Sequence, residues 1–116
     1  MKHATTLPAA PTAVSEQIHH ALHAVIESRR VVELEERDGH KRIGEPHDYG
    51  IMQGKPTLLF YQTAGHSRSG GLPQWRNLDV SKIAAVHPLD KTFRGGRSTK
   101  SGRHRQWDVL FIRAQP

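Results

Sequence analysis

The hydrophobic period of the chain changes once, and that change limits the possible folds more than any other feature. Up to about Ser28 the apolar residues recur at helical spacing. Ile18, Leu22, Val25 and Ile26 stand at i, i+4, i+7 and i+8, and Val14 extends the stripe backwards. Thr12 or Ser15 can cap this helix, Glu16 suits the positive end of its dipole, and the basic residues at 29–30 suit its other end. From Val31 the period is two, with Val32, Leu34 and Glu36 alternating with Glu33 and Glu35.

Turn signals divide the rest into short strands. Asp38-Gly39 predicts a hairpin and a return strand of about 41–45, which Pro46 ends or confines to an edge. Gly54-Lys55-Pro56 precedes the most strand-like segment, Thr57–Thr63. Further strands are expected at about 73–80, at 82–87 before Pro88, and at 107–113. One helix and five or six short strands fit an α+β, mainly β fold, a small SH3-like or Sm-like barrel with the helix on its end or flank. Residues 1–13, rich in Ala, Thr and Pro, read as a disordered leader, with a single domain over 14–116.

Composition narrows the function. The 116 residues contain no cysteine, which excludes disulfide scaffolds and thiolate metal sites. A strongly apolar run such as Leu58–Tyr61 is far below the roughly 20 residues of a membrane span, and Pro8 and Pro11 break the N-terminal apolar stretch. A soluble, cytoplasmic protein with no membrane partner is expected. The net charge of +6 is unevenly spread: residues 1–60 hold seven Lys/Arg against eight Asp/Glu, and residues 61–116 hold ten against three. That imbalance points to an acidic partner for the C-terminal half.

Five constellations could carry chemistry. His19 and His23, at i and i+4, have metal-ligand spacing, but two His make an incomplete site and are expected on the polar helix face, so no metal is expected. Gly65–Gly71, with His66 and Arg68, can form an anion-binding concavity without being a P-loop. Trp75 and Arg76, adjacent in a strand, point to opposite faces, and the Arg fork suits phosphate or carboxylate. Its bland alternative is a surface ion pair with Glu33, Glu35 or Asp79. The segment 91–105 carries Lys91, Arg94, Arg97, Lys100, Arg103 and Arg105 with no acid, in a Gly/Ser context expected to be mobile and suited to phosphate backbones. Asp48 and Tyr49 beside Pro46-His47 could form an acid/base cluster, although a polar loop explains them equally well. No nucleophile, triad order or convincing carboxylate pair supports an enzyme, and no cofactor is expected.

The segment from about 24 to 93 resembles the WYL domain, a prokaryotic module. The features run in order: IESRRVVELEER before the Asp38-Gly39 turn, Arg42-Ile-Gly-Glu-Pro46, and Gly54-Lys-Pro-Thr-Leu-Leu-Phe-Tyr61. Next come Trp75-Arg76 through Lys82-Ile83 and then Phe93. The positions of the naming Trp-Tyr-Leu signature read Thr57-Leu58-Leu59, and Lys82 stands where the family has a second Arg. The resemblance implies a ligand-sensing or nucleic-acid-binding regulatory module, in transcription control or phage defence, without catalysis; a stand-alone module taking a small anionic or nucleotide-like ligand is expected. Arg42, His66, Arg68, Trp75 and Arg76 are the candidate ligand residues. Nucleic-acid binding by 91–105, to DNA or RNA, and a homodimer through exposed strand edges are the alternatives.

Overall fold

The computed structural model describes residues 9–68, 70–95 and 107–116. Helix α1 spans Glu16–Glu27. Ser15 is its cap: the hydroxyl accepts the Ile18 N–H at 3.1 Å, a bond worth about 1 kcal/mol. The helix stops at Ser28, whose N–H and hydroxyl both reach the Ala24 carbonyl, and Arg29 turns the chain with a φ of 52°. Six strands follow: β1 Arg30–Glu36, β2 Lys41–Met52, β3 Lys55–Gly65, β4 Gln74–Asp79, β5 Ile83–Thr92 and β6 Val109–Arg113. A 3-10 turn, Val80–Lys82, joins β4 to β5.

The strands form one antiparallel sheet in the order β4-β3-β2-β1-β5, with β6 paired to β2. The result is the mainly β, small barrel-like α+β fold that the change of period predicts. Rows from β1 to β5 build the core, Val32 and Leu34, Tyr49, Leu58 and Phe60, Leu78, and Ile83, and Phe111 and Ile112 of β6 pack against it. The helix closes it with Leu22 and Ile26, both fully buried, each contributing about 1.5–3 kcal/mol by leaving water. Among the described residues no helix is long and apolar enough to cross a membrane.

Three expectations need correction. Pro46 does not end its strand, because β2 continues to Met52. Along one edge β2 pairs with β1 through Gly44 and with β6 from Asp48, so Pro46 lies in the gap between two ladders, and a bulge at 46–48 bends the other edge. The missing N–H costs nothing there. Pro88 likewise sits within β5, opposite Val32, on a strand at the end of the sheet. Consequently Lys91 and Thr92 belong to β5, and Phe93 is buried.

The helix histidines are the third correction. His19 and His23 are buried, not on the polar face, because β2 and β6 cover a second side of α1. His19 Nδ1 lies 2.7 Å from the Tyr49 hydroxyl, and His23 Nδ1 donates to the His19 carbonyl at 2.9 Å. Phe111 packs edge-on against His19 and Tyr49. Burial pushes the Tyr49 phenol well above its ordinary range.

Candidate ligand site at one end of the barrel

Polar residues in core-facing rows gather where β1 ends, β2 begins, β3 ends and β4 begins. Arg42 is opposite Leu34, and Arg76 is opposite Phe60, so both guanidinium stems continue apolar rows. Gln62 extends the Leu58–Phe60 row and is fully buried. Its Oε1 accepts from Arg42 Nη1 at 2.9 Å and from Arg76 Nε at 3.1 Å. Its Nε2 donates to the carbonyls of Ala64 at 3.0 Å and His66 at 2.7 Å. The amide orientation is therefore forced: reversing it would aim N–H groups at two cations and an oxygen at two carbonyls.

The segment after β3 completes the cluster. Gly65 has a φ of 93°, and a Cβ there would stand 2.5 Å from the Lys41 carbonyl, so the turn into this segment needs glycine. The His66 N–H then bonds Lys41 O at 2.7 Å. The His66 carbonyl accepts a second bond from Arg42 Nη1 at 3.2 Å, and the Ser67 hydroxyl accepts from Arg76 Nη2 while donating to Gly70 O at 3.0 Å. The His66 ring lies flat on the His40 ring, with centroids 3.6 Å apart and planes 2° apart.

Glu36 supplies a carboxylate. Its Oε1 is 3.2 Å from Arg42 Nε, an ion pair without a hydrogen bond, and both side chains are about 15% exposed. At this depth a guanidinium binds oxygen acceptors more strongly than it would in open water. Asp38 holds His40: its two oxygens take the His40 N–H and ring Nδ1, each at 3.0 Å. The His40 N–H is the main reason the Asp38 carboxyl sits below its ordinary value. Glu36, Asp38 and His40 bring ligand-type atoms within 4.8 Å of one another, but Asp38 is committed to His40 and Glu36 to Arg42.

Of the residues expected from sequence, Arg42, His66 and Arg76 come together. Arg76 bonds Gln62 and Ser67. Trp75 faces the other way, against Tyr61 at 5.0 Å and His47 at 4.9 Å, and Arg68 is exposed on the loop. Lys91 and Arg94 are exposed near the opposite end of β1, where Arg30 pairs with Thr92. The length of β1, seven residues, separates the two regions by roughly 20 Å. Arg97, Lys100, Arg103 and Arg105 lie outside the described residues. His47, Asp48 and Tyr49 form no joint cluster. Asp48 takes both Arg113 Nε and Nη2 on one oxygen, at 3.1 and 3.0 Å, while Tyr49 faces the helix.

Sequence reasoning missed Gln62, Glu36 and His40, and it held Ser67 only as part of the Gly65–Gly71 loop. Gln62 had a readable signal, a polar residue in step with Leu58 and Phe60 on a core-facing row. No family model, curated protein or solved structure matches the chain.

Proposed function

We propose that the protein is a non-enzymatic, WYL-like regulatory module that takes a small anionic ligand at the Arg42–Arg76 end of its barrel. One observation carries the reading: guanidinium groups from two strands converge on a single neutral carboxamide oxygen. Each guanidinium bonds a charged oxygen more strongly than the carboxamide, as Arg42 already does with the Glu36 carboxylate, and the Arg fork is preorganised for carboxylate or phosphate. The core-facing rows fix both stems, so little side-chain entropy is lost on binding. A role in transcription control follows from the WYL resemblance and the basic charge of the C-terminal half.

Titration of the full chain with inorganic phosphate and pyrophosphate, followed by 15N NMR, tests the reading. The Gln62 side-chain amide and the Arg42 and Arg76 Nε signals should shift together and saturate. Shifts confined to Lys91 and Arg94 would overturn the assignment and favour nonspecific attraction at the other basic end, as would shifts that never saturate.

A further inference from the structure

We propose that the groove between α1 and the outer edge of β5 takes an extended peptide of a partner protein. The peptide adds to the sheet as a further antiparallel strand, with an acidic residue ahead of its apolar ones. The groove lies on the far side of β1 from Gln62 and the two arginines, so it is independent of the anion site.

β5 ends the sheet: it pairs with β1, and among the described residues no strand lies on its other side. An edge strand turns half of its backbone N–H and carbonyl groups outward, where a second chain can bond them. Folded proteins ordinarily guard such an edge with charge, proline or irregular pairing. On β5 these guards stand away from the middle of the strand. Lys82 precedes it, and Pro88 and Lys91 come late in it. The pairing with β1 shifts register between 83 and 85 and again between 88 and 92. Between those shifts Ala85, Val86 and His87 keep a regular ladder and include no proline, lysine or acid.

A groove of about 260 Å³ runs along this stretch, lined by Ile18 and Ala21 of the helix and by Ala84, Ala85, Val86 and His87. Successive side chains of a strand point to opposite faces, so these four consecutive β5 residues can line one groove only if it follows the strand's edge. Ala21 and Ala84 carry only methyl groups, which leaves room for an incoming backbone. Ile18 and Val86 offer an apolar floor to alternate side chains. Backbone bonds along the edge and pockets for alternate side chains are the two requirements of strand addition.

Charge says which peptide. A second cavity of about 390 Å³ lies farther along α1 and β5, lined by Ser28, Arg30, Asp90, Lys91 and Thr92. Two cations line it against one acid, and the exposed Arg94 follows two residues after Thr92. The helix and β5 run in the same direction, since low-numbered residues of both line the first cavity and high-numbered ones the second. Ala21 and Ser28 are about 10 Å apart along the helix axis, and Val86 and Lys91 about 17 Å apart along the strand. An extended chain covers that span in about three to five residues. A strand antiparallel to β5 passes the cations first, so its acid stands that far ahead of its apolar pair. Arg30 and Lys91 then set direction and register, while the groove supplies the shape that charge alone lacks.

The test is selection of displayed random decapeptides on the full chain. The best synthetic decapeptide is then followed by hydrogen exchange and by its affinity for variants. Enriched sequences should carry Asp or Glu about three to five residues ahead of two apolar residues at alternate positions. Amides within 84–87 should exchange more slowly when peptide is bound, because outward N–H groups gain acceptors. Ala21→Arg keeps helix propensity and fills the groove, so it should weaken binding about 10-fold or more. Ala84→Lys, on an exposed residue, makes the same block from the strand side if the helix does not tolerate arginine. Lys91→Glu reverses a charge on the rim and should weaken binding about 3- to 10-fold, most strongly at low salt. The peptide reading falls if no sequence is enriched or if the bound peptide protects no amide within 84–87. It falls equally if enriched peptides are merely acidic and bind Ala21→Arg and Ala84→Lys as tightly as wild type. Sedimentation of the chain alone covers the other occupant: a dimer dispersed by Ala84→Lys would assign the groove to a second copy and overturn the proposal.

Discussion

The two ends of β1 carry positive charge in different ways. At the Glu36 end, Arg42 and Arg76 are held by Gln62, by the His66 carbonyl and by Ser67, and their stems continue rows of the core. At the Arg30 end, Lys91 and Arg94 stand exposed beside the strand. The first arrangement fixes direction and geometry, and so can discriminate among ligands. The second offers charge alone, which attracts any polyanion and weakens as salt is added. Net charge therefore says little about which end recognises anything.

The comparison breaks first on stability. Gln62→Leu should cost about 2–3 kcal/mol, because it removes a buried acceptor from each of two guanidinium groups and the donor to the Ala64 and His66 carbonyls. Lys91→Ala and Arg94→Ala, both on exposed side chains, should stay within about 0.5 kcal/mol. Urea unfolding followed by tryptophan fluorescence measures all three. Equal effects at the two ends would mean that the network around Gln62 is no more organised than ordinary surface.

Binding should separate the ends next. Arg76→Ala should weaken phosphate binding about 10- to 100-fold, the value of one charge-assisted hydrogen bond pair, while Arg94→Ala leaves it within about 2-fold. With generic single-stranded DNA the order should reverse. Lys91→Ala and Arg94→Ala should each lower the log–log salt slope by about 1 where those residues meet phosphates, and Arg76→Ala should leave the slope unchanged. A slope that falls with Arg76 and not with Lys91 or Arg94 would place nucleic acid at the arginine network.

How much of this was legible in the sequence follows from range. Local patterns read well: the helix stripe from Ile18 to Ile26, the Asp38-Gly39 turn and the Leu58–Phe60 strand all depend on residues a few positions apart. Pro46 and Pro88 misled because each was judged by its own strand. Whether a missing N–H matters depends on a neighbour, and β6, which leaves the gap at Pro46, lies more than 60 residues away. His19 and His23 misled for the same reason, since Tyr49 and Phe111 cover them from distant strands. Arg42 and Arg76 could be singled out by type, but nothing local says that Gln62 joins them. That contact depends on the registers of β2 and β4 against β3.

The smallest expected effect concerns Asp38, and it sharpens the comparison in acid. The His40 N–H, with the His40 ring adding to it, holds the Asp38 carboxyl below its ordinary value of 3.8. A carboxyl depressed in the folded state contributes stability above its unfolded value, and that contribution disappears as pH falls through the folded one. Asp38→Asn keeps an oxygen for the His40 N–H and removes the charge. The stability difference between wild type and Asp38→Asn should therefore be small, and should shrink as pH falls below 3.8. Asp38 is exposed, so added salt should flatten the difference further. Arg94→Ala removes no carboxylate, and its difference should stay level through the same acid range. A difference for Asp38→Asn that is equally level would show that the His40 platform beneath His66 owes nothing to the charge of Asp38, leaving ring stacking and the backbone turn to hold that end of the site.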